Sequence, residues 1–187
     1  MAVTFPHKIL AVHCGLGLYG RNNICYNNEF GSYMQIMTYI SDAPCDETVW
    51  RPLGRMESCD TCRACVNACP TSALDPNRQL IDSDRCLTLF NESANAFPNW
   101  LDSTAHNSIA GCTRCQDCCP ANAHNKSNII PGVSFTEEET IEILSNKADA
   151  PYSEAVAAKL DATGIFQDYV DPSVFPRNLS VLLQRPR

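Results

Sequence analysis

At 187 residues the chain has room for one ordinary domain, or for two small ones sharing a core. Hydrophobic residues make up 44% and charged residues 19%, a composition that excludes a disordered chain, and no apolar run approaches the length of a membrane span. The formal charge of −7 is unsuited to gripping nucleic acid, because the basic residues are scattered apart from Arg185 and Arg187 at the C-terminal end.

Residues 7 to 14, His7-Lys-Ile-Leu-Ala-Val-His-Cys14, read as a short helix whose apolar positions form no single stripe. Gly15 can take the left-handed conformation that stops it. The following Gly15-Leu-Gly17-Leu-Tyr-Gly20 matches the dinucleotide-binding pattern, but that pattern needs a strand before it and a helix after it. Here a helix precedes and a turn, Arg21-Asn22-Asn23, follows. A tight glycine loop that lets backbone approach a large flat ligand fits better, with a plain structural turn as the simpler alternative. Ile24-Cys25-Tyr26 and the run Phe30 to Ile40, separated by an Asn-rich turn, suggest a β-hairpin, although the second run is long enough for a helix. Cys14, Cys25 and Cys45 fall outside any metal-binding pattern and read as buried or idle thiols.

The centre of the chain is Cys59-Asp-Thr-Cys62-Arg-Ala-Cys65-Val-Asn-Ala-Cys69-Pro70, the spacing with which bacterial ferredoxins hold 4Fe-4S clusters. Three cysteines two residues apart can wrap one cubane, and in two-cluster proteins the last one ligates the other cluster. A second set does follow, Cys112-Thr-Arg-Cys115-Gln-Asp-Cys118-Cys119-Pro120, with a solitary Cys86 between the two. The crossed arrangement gives one cluster Cys59, Cys62, Cys65 and Cys119. The other takes Cys69, Cys112 and Cys115, with either Cys86 or Cys118 as the fourth ligand. Cys86 is favoured, because a ligating Cys118 would force adjacent residues onto different clusters. Structural zinc wants four ligands, usually as two pairs, and disulfides want an oxidising compartment. The opening Met1-Ala-Val-Thr-Phe-Pro-His-Lys8 lacks the pattern of a signal peptide, so a cytoplasmic protein is expected.

Between the sets, Asp84 can cap a short helix from Arg85 to Phe90 that carries Cys86. His106 and His124 flank the second set and read as solvated loop histidines. After Pro131 the chain turns acidic and helical. Thr136 and Glu139 stand at capping-box spacing before an apolar stripe, a second helix covers Ser153 to Leu160 and ends near Gly164, and a last one spans Leu179 to Leu183 after Pro176. These tail helices are expected to pack on the cluster region and shield it from water. The fold class is α+β, mainly helical: a ferredoxin-like double-cluster domain over 55–130, preceded over 1–54 by a helix, glycine loop and hairpin, and followed over 131–187 by a helical extension.

The order of these motifs, Ala11 to Asn22, then Phe30-Gly31-Ser32, then the two cysteine sets with Arg85-Cys86 between them, resembles the epoxyqueuosine reductase family over roughly residues 8 to 125. In that family a cobalamin-binding reductase half is joined to a double 4Fe-4S domain, and the enzyme deoxygenates epoxyqueuosine in tRNA to queuosine. The resemblance implies Cys86 as a ligand, since the family has a valine-like residue where Cys118 stands. It implies cobalamin as a further cofactor, with Gly17, Gly20 and Asn22 lying against the corrin, so that residues 1–54 would be the remnant of a cobalamin-binding domain. The family's catalytic aspartate lies upstream of the glycine loop, and no residue of this chain is expected to inherit its role. The expected function is therefore the electron-transfer portion of such a reductase, with a redox donor protein and a separate reductase half as partners and tRNA as a partner by resemblance alone. The alternative is a free-standing ferredoxin-like electron carrier with no substrate of its own.

Overall fold

The computed structural model describes residues 5–44, 50–78, 80–146, 151–165, 170 and 173–184. Its helices are α1 (His7–His13), α2 (Ala64–Ala68), α3 (Leu87–Glu92), α4 (Arg114–Asp117), α5 (Glu137–Ser145), α6 (Glu154–Ala162) and α7 (Val174–Leu183), with strands β1 (Leu18–Tyr19) and β2 (Cys25–Tyr26) forming a small antiparallel sheet. The architecture is mostly helical, as expected. Two compact units divide the chain: Met1–Cys69 with Leu74–Ile81 and Cys115–Asn128, and Pro70–Ala73 with Asp82–Arg114 and Ile129–Arg187.

In the first unit α1 ends as its sequence dictates. Gly15 adopts φ +77°, Leu16 N–H donates to Ala11 O at 2.8 Å, and Gly15 N–H donates to Val12 O at 3.0 Å, the paired bonds of a Schellman cap. The hairpin, however, is not the expected one. β2 pairs with β1 from inside the glycine stretch, Leu18 opposite Tyr26 and Tyr19 opposite Cys25, whereas the run after Phe30 contributes only an isolated bridge from Gly31 to Asn27. The reason is steric: a side chain at Gly17 would meet Tyr26 O at 2.3 Å, so glycine there lets the two strands close. Ala11, Val12 and Cys25 form the small apolar core, with Tyr19, Met34 and Ile36 against it. Cys25 is thus a buried thiol and Cys14 an exposed one, while Cys45 lies outside the described residues.

In the second unit Asp84 does not cap a helix. It sits within a 3-10 turn, Ser83–Arg85, and α3 begins at Leu87, with Cys86 in extended conformation at its N-cap. The tail follows its capping signals closely. Thr136 Oγ1 accepts from Glu139 N–H, and the Glu139 carboxylate accepts from Thr136 N–H at 2.7 Å. Ser153 caps α6, and Gly164 at φ +66° follows its end. The last helix is longer than expected because Pro176 stands inside its first turn, where a missing N–H breaks no intrahelical bond. Ile143, Val156, Leu160 and Phe175 bury one another, with Ile109, Phe135, Tyr152, Ile165 and Leu179 around them. The tail thereby has an apolar core of its own and shares it with Ile109.

Candidate metal centre

Within the first unit, Cys59 and Cys65 are buried and Cys62, Cys69, Cys115, Cys118 and Cys119 half-buried. A 3-10 turn over Glu57–Cys59 and the short α2 present the first three thiols in succession, since the chain between them is too short to travel. The Cys65 thiol is pushed up to about 11, first by burial and then by the neighbouring thiols of Cys118 and Cys59. Cys118 is pushed up likewise, by burial and then by Cys119. Buried thiols that oppose one another's ionisation are a poor arrangement for an empty core and a good one for a cation, whose charge draws off the protons. Among the described residues, no three His, Cys, Asp or Glu side chains converge closely enough for a single metal ion. A cubane makes a different demand, because each thiolate binds its own iron. The donor set of the first unit fits such a group.

Residues of the glycine stretch and hairpin hold these thiol-bearing loops in place. Arg21 is 7% exposed and donates through Nε and Nη2 to Cys59 O, at 3.2 and 2.5 Å, and through Nη1 to Pro76 O at 2.9 Å. Asn22, 3% exposed, donates from Nδ2 to Cys115 O at 3.1 Å and to Tyr26 Oη at 2.9 Å. Burial first, and then the neighbouring Cys119 thiol, push the ionisation of the Tyr26 hydroxyl well above the usual range. Farther on, Asn122 Oδ1 accepts from Ser32 N–H at 2.9 Å, while its Nδ2 donates to Gln116 O at 2.9 Å. Gly31 must be glycine here: its φ is +60°, and a Cβ would meet Asn122 Oδ1 at 2.2 Å. None of these roles is visible in local sequence, although the polar residues interleaved among the glycines were a signal.

In the second unit, Cys86 and Cys112 are both half-buried. Asn107 Nδ2 donates to Cys112 Sγ at 3.3 Å, the kind of N–H to sulfur bond that surrounds cluster ligands. The approach to Cys112 is set by buried amides. Asn91 Nδ2 donates to Ser108 O and Gly111 O at 3.2 and 2.9 Å, and Asn178 of α7 donates to Asn91 O and Ile109 O at 2.8 and 2.6 Å. His106 corrects the expectation of a solvated loop histidine. It is 1% exposed, bonded through Nδ1 to Asn91 Oδ1 at 3.1 Å, and set edge-on to Phe97. His124 is exposed, as expected.

The first unit also holds a cavity of about 730 Å³ whose lining includes Gly15, Gly17, Tyr26, Arg51, Met56 and His124. Of the residues expected against a corrin, only Gly17 lines it. Gly20 borders a separate hollow of about 400 Å³, and Asn22 is turned toward Tyr26 and Cys115. The space beside both glycines is taken by the protein itself, since a Cβ on Gly20 would meet the Tyr26 ring at 2.5 Å. Gly17 thus borders the larger cavity although its own Cβ position is closed by Tyr26 O, while Gly20 and Asn22 face Tyr26.

Thiol-rich loops of this kind define an iron-sulfur protein, and residues 58–122 match the 4Fe-4S double cluster binding domain. The epoxyqueuosine reductase of Leadbetterella byssophila is 33% identical over 149 residues, covering 74% of this chain and 47% of that protein. That of Staphylococcus aureus is 32% identical over 115 residues, 62% of this chain and 29% of that one. The chain thus spans about half or less of the length of the curated relatives it matches. In fold it is similar to an epoxyqueuosine reductase from Bacillus subtilis, with a TM-score of 0.62 at 20% identity over 95% of this chain and 45% of that one. It is equally similar to an epoxyqueuosine reductase solved with an epoxyqueuosine-modified tRNA-Tyr stem loop, with a TM-score of 0.61 at 18% identity and the same coverage. These likenesses place the chain in the epoxyqueuosine reductase family, over the part that the matches span.

Proposed function

We propose that the chain is the iron-sulfur electron-transfer portion of an epoxyqueuosine-reductase-like oxidoreductase, carrying single electrons through two ferredoxin-type 4Fe-4S clusters toward a cobalamin-type active site. The observation that carries this reading is Tyr26, which lines the cavity and whose hydroxyl accepts from the same Asn22 amide that donates to Cys115 O, so that a short polar chain links a cluster ligand to the cavity. Cys59, Cys62, Cys65 and Cys119 hold one cluster, and Cys69, Cys86, Cys112 and Cys115 the other. Cys86 is supported over Cys118 by the surroundings of the latter: its thiol sits among those of Cys119, Cys65 and Cys62 and donates to Cys115 O at 3.7 Å. Bound, the clusters supply one-electron reduction at potentials set by burial, charge and N–H to sulfur bonds. Removing an epoxide oxygen as water takes two electrons and two protons, so two one-electron relays suit it.

Gly17, Arg51 and His124 are the residues that would meet the second cofactor in the cavity. The tRNA substrate falls to another part of the enzyme or to a partner, because a chain of formal charge −7 that binds anionic clusters repels phosphate. Among the described residues no helix is long and apolar enough to cross a membrane, in keeping with a cytoplasmic setting.

Anaerobic reconstitution with iron and sulfide, followed by iron analysis and EPR of the reduced protein, tests the ligand set. Eight irons per chain are expected, falling to about half in Cys86→Ser and unchanged in Cys118→Ser; the reverse pattern exchanges the two residues. Titration with cobalamin should alter the corrin spectrum. An unchanged spectrum with both clusters intact favours the free-standing carrier.

A further inference from the structure

Arg21 carries a charge that no carboxylate partners among the described residues. A guanidinium stays protonated in any protein environment, and taking one out of water costs several kcal/mol unless an anion accompanies it. At 7% exposure Arg21 is effectively inside. Its three hydrogen bonds all go to carbonyl oxygens, two to Cys59 and one to Pro76, and among the described residues none of its partners is a carboxylate. Neighbouring acids are engaged elsewhere: Asp60 pairs with Arg55 at 2.6 Å, and Asp75 Oδ1 accepts from Asn77 N–H at 2.7 Å. Carbonyl dipoles orient a guanidinium but do not neutralise it.

The position of Arg21 answers the question. Cys59 is the first thiol of the set that fits a cluster, and Arg21 is held against that residue's own carbonyl. We infer that Arg21 is the internal counter-charge of the cluster bound by Cys59, Cys62, Cys65 and Cys119, and that it holds the reduction potential of this cluster above the value it would otherwise have. A cubane with four thiolates is an anion, and accepting an electron makes it more negative still. A fixed cation beside it therefore stabilises the reduced form more than the oxidised one. The orientation is pre-set: two donors gripping Cys59 O keep the charge from swinging out to solvent, and Pro76 O holds the other arm of the fork.

This inference rests on the cluster reading above, and its test separates the two. The reconstituted wild-type chain, Arg21→Met and Arg21→Lys are titrated anaerobically with a mediated reductant, each one-electron step being followed by EPR and iron being counted. If the wild type takes up no cluster, the cluster reading fails. With clusters present, Arg21→Met should move one of the two steps to more negative potential, changing the reduced-to-oxidised ratio at fixed potential about tenfold, or about 59 mV for a one-electron couple. The other step should stay in place, and Arg21→Lys should recover most of the shift. Loss of four irons in Arg21→Met with retention of all eight in Arg21→Lys also supports a charge role. A wild-type titration in Arg21→Met, an equal shift of both steps, or loss of the cluster in both variants overturns it, the last by making the guanidinium a carbonyl clamp and nothing more.

Discussion

Buried asparagine is the residue type on which this protein relies most. Asn91 and Asn178 each donate to two backbone carbonyls, and Asn22 and Asn122 each to one carbonyl and one hydroxyl, so that short, neutral amides satisfy carbonyls that irregular chain cannot pair for itself. With so little regular structure around the cysteines, these amides replace the ladders of a sheet. Charge is tolerated less well. Glu92 ends α3, and burial raises its carboxyl above the ordinary range. Its proton is held more tightly folded than unfolded, so stability is full at acid pH and is lost as pH rises through the folded value. The negative charge also sits at the unfavourable end of a helix dipole. Glu92→Gln should therefore unfold at a higher temperature than the wild type at pH 7, with the difference vanishing near pH 3 in parallel melts. A constant difference across that range would contradict the assignment to ionisation.

Among the elements, α5 and α7 show two ways of placing a helix. α5 is placed by its own sequence, with the Thr136–Glu139 box closing its N-terminus and Lys159 of α6 pairing with Glu139 at 2.6 Å. Thr136→Ala removes an exposed cap and should cost about 1 kcal/mol in urea unfolding. α7 is placed by what it grips. Arg177 lies over the Phe97 ring at 4.0 Å and donates to the carbonyls of Phe90 and Asn95, while Asn178 reaches Asn91 O and Ile109 O. Arg177 and Asn178 thus fasten α3 and the segment leading to Cys112, a task the apolar pattern of α7 does not announce.

At the scale of the whole molecule, two kinds of cohesion coexist. The tail closes around Ile143, Val156, Leu160 and Phe175, an apolar core that needs no metal. Among the described residues no comparable apolar cluster forms around the cysteine loops, where Cys59 and Cys65 are themselves buried and Arg21 is held against Cys59 O. Stripping iron with a chelator should therefore leave the helices of residues 137–183 folded, with much of the far-ultraviolet helix signal intact. Residues 58–122 should become open to limited proteolysis, mapped by mass spectrometry. Loss of both together would show that the tail core depends on iron. Uptake of the clusters should release protons, because thiols such as Cys65 must ionise to bind.

By itself the sequence determined what short-range chemistry can determine: the two cysteine sets, the stop at Gly15, the capping box of Thr136 and Glu139, and the family resemblance that rests on the cysteine and glycine motifs. Each of these signals lies within a few residues of the structure it dictates. The tertiary structure alone decided that β2 pairs backward with Leu18–Tyr19, that His106 is interior, and that Asn22 spends its amide on a carbonyl 93 residues away. A buried polar group takes its partner from whatever backbone arrives unpaired beside it, and which backbone arrives is settled by the packing of the whole chain.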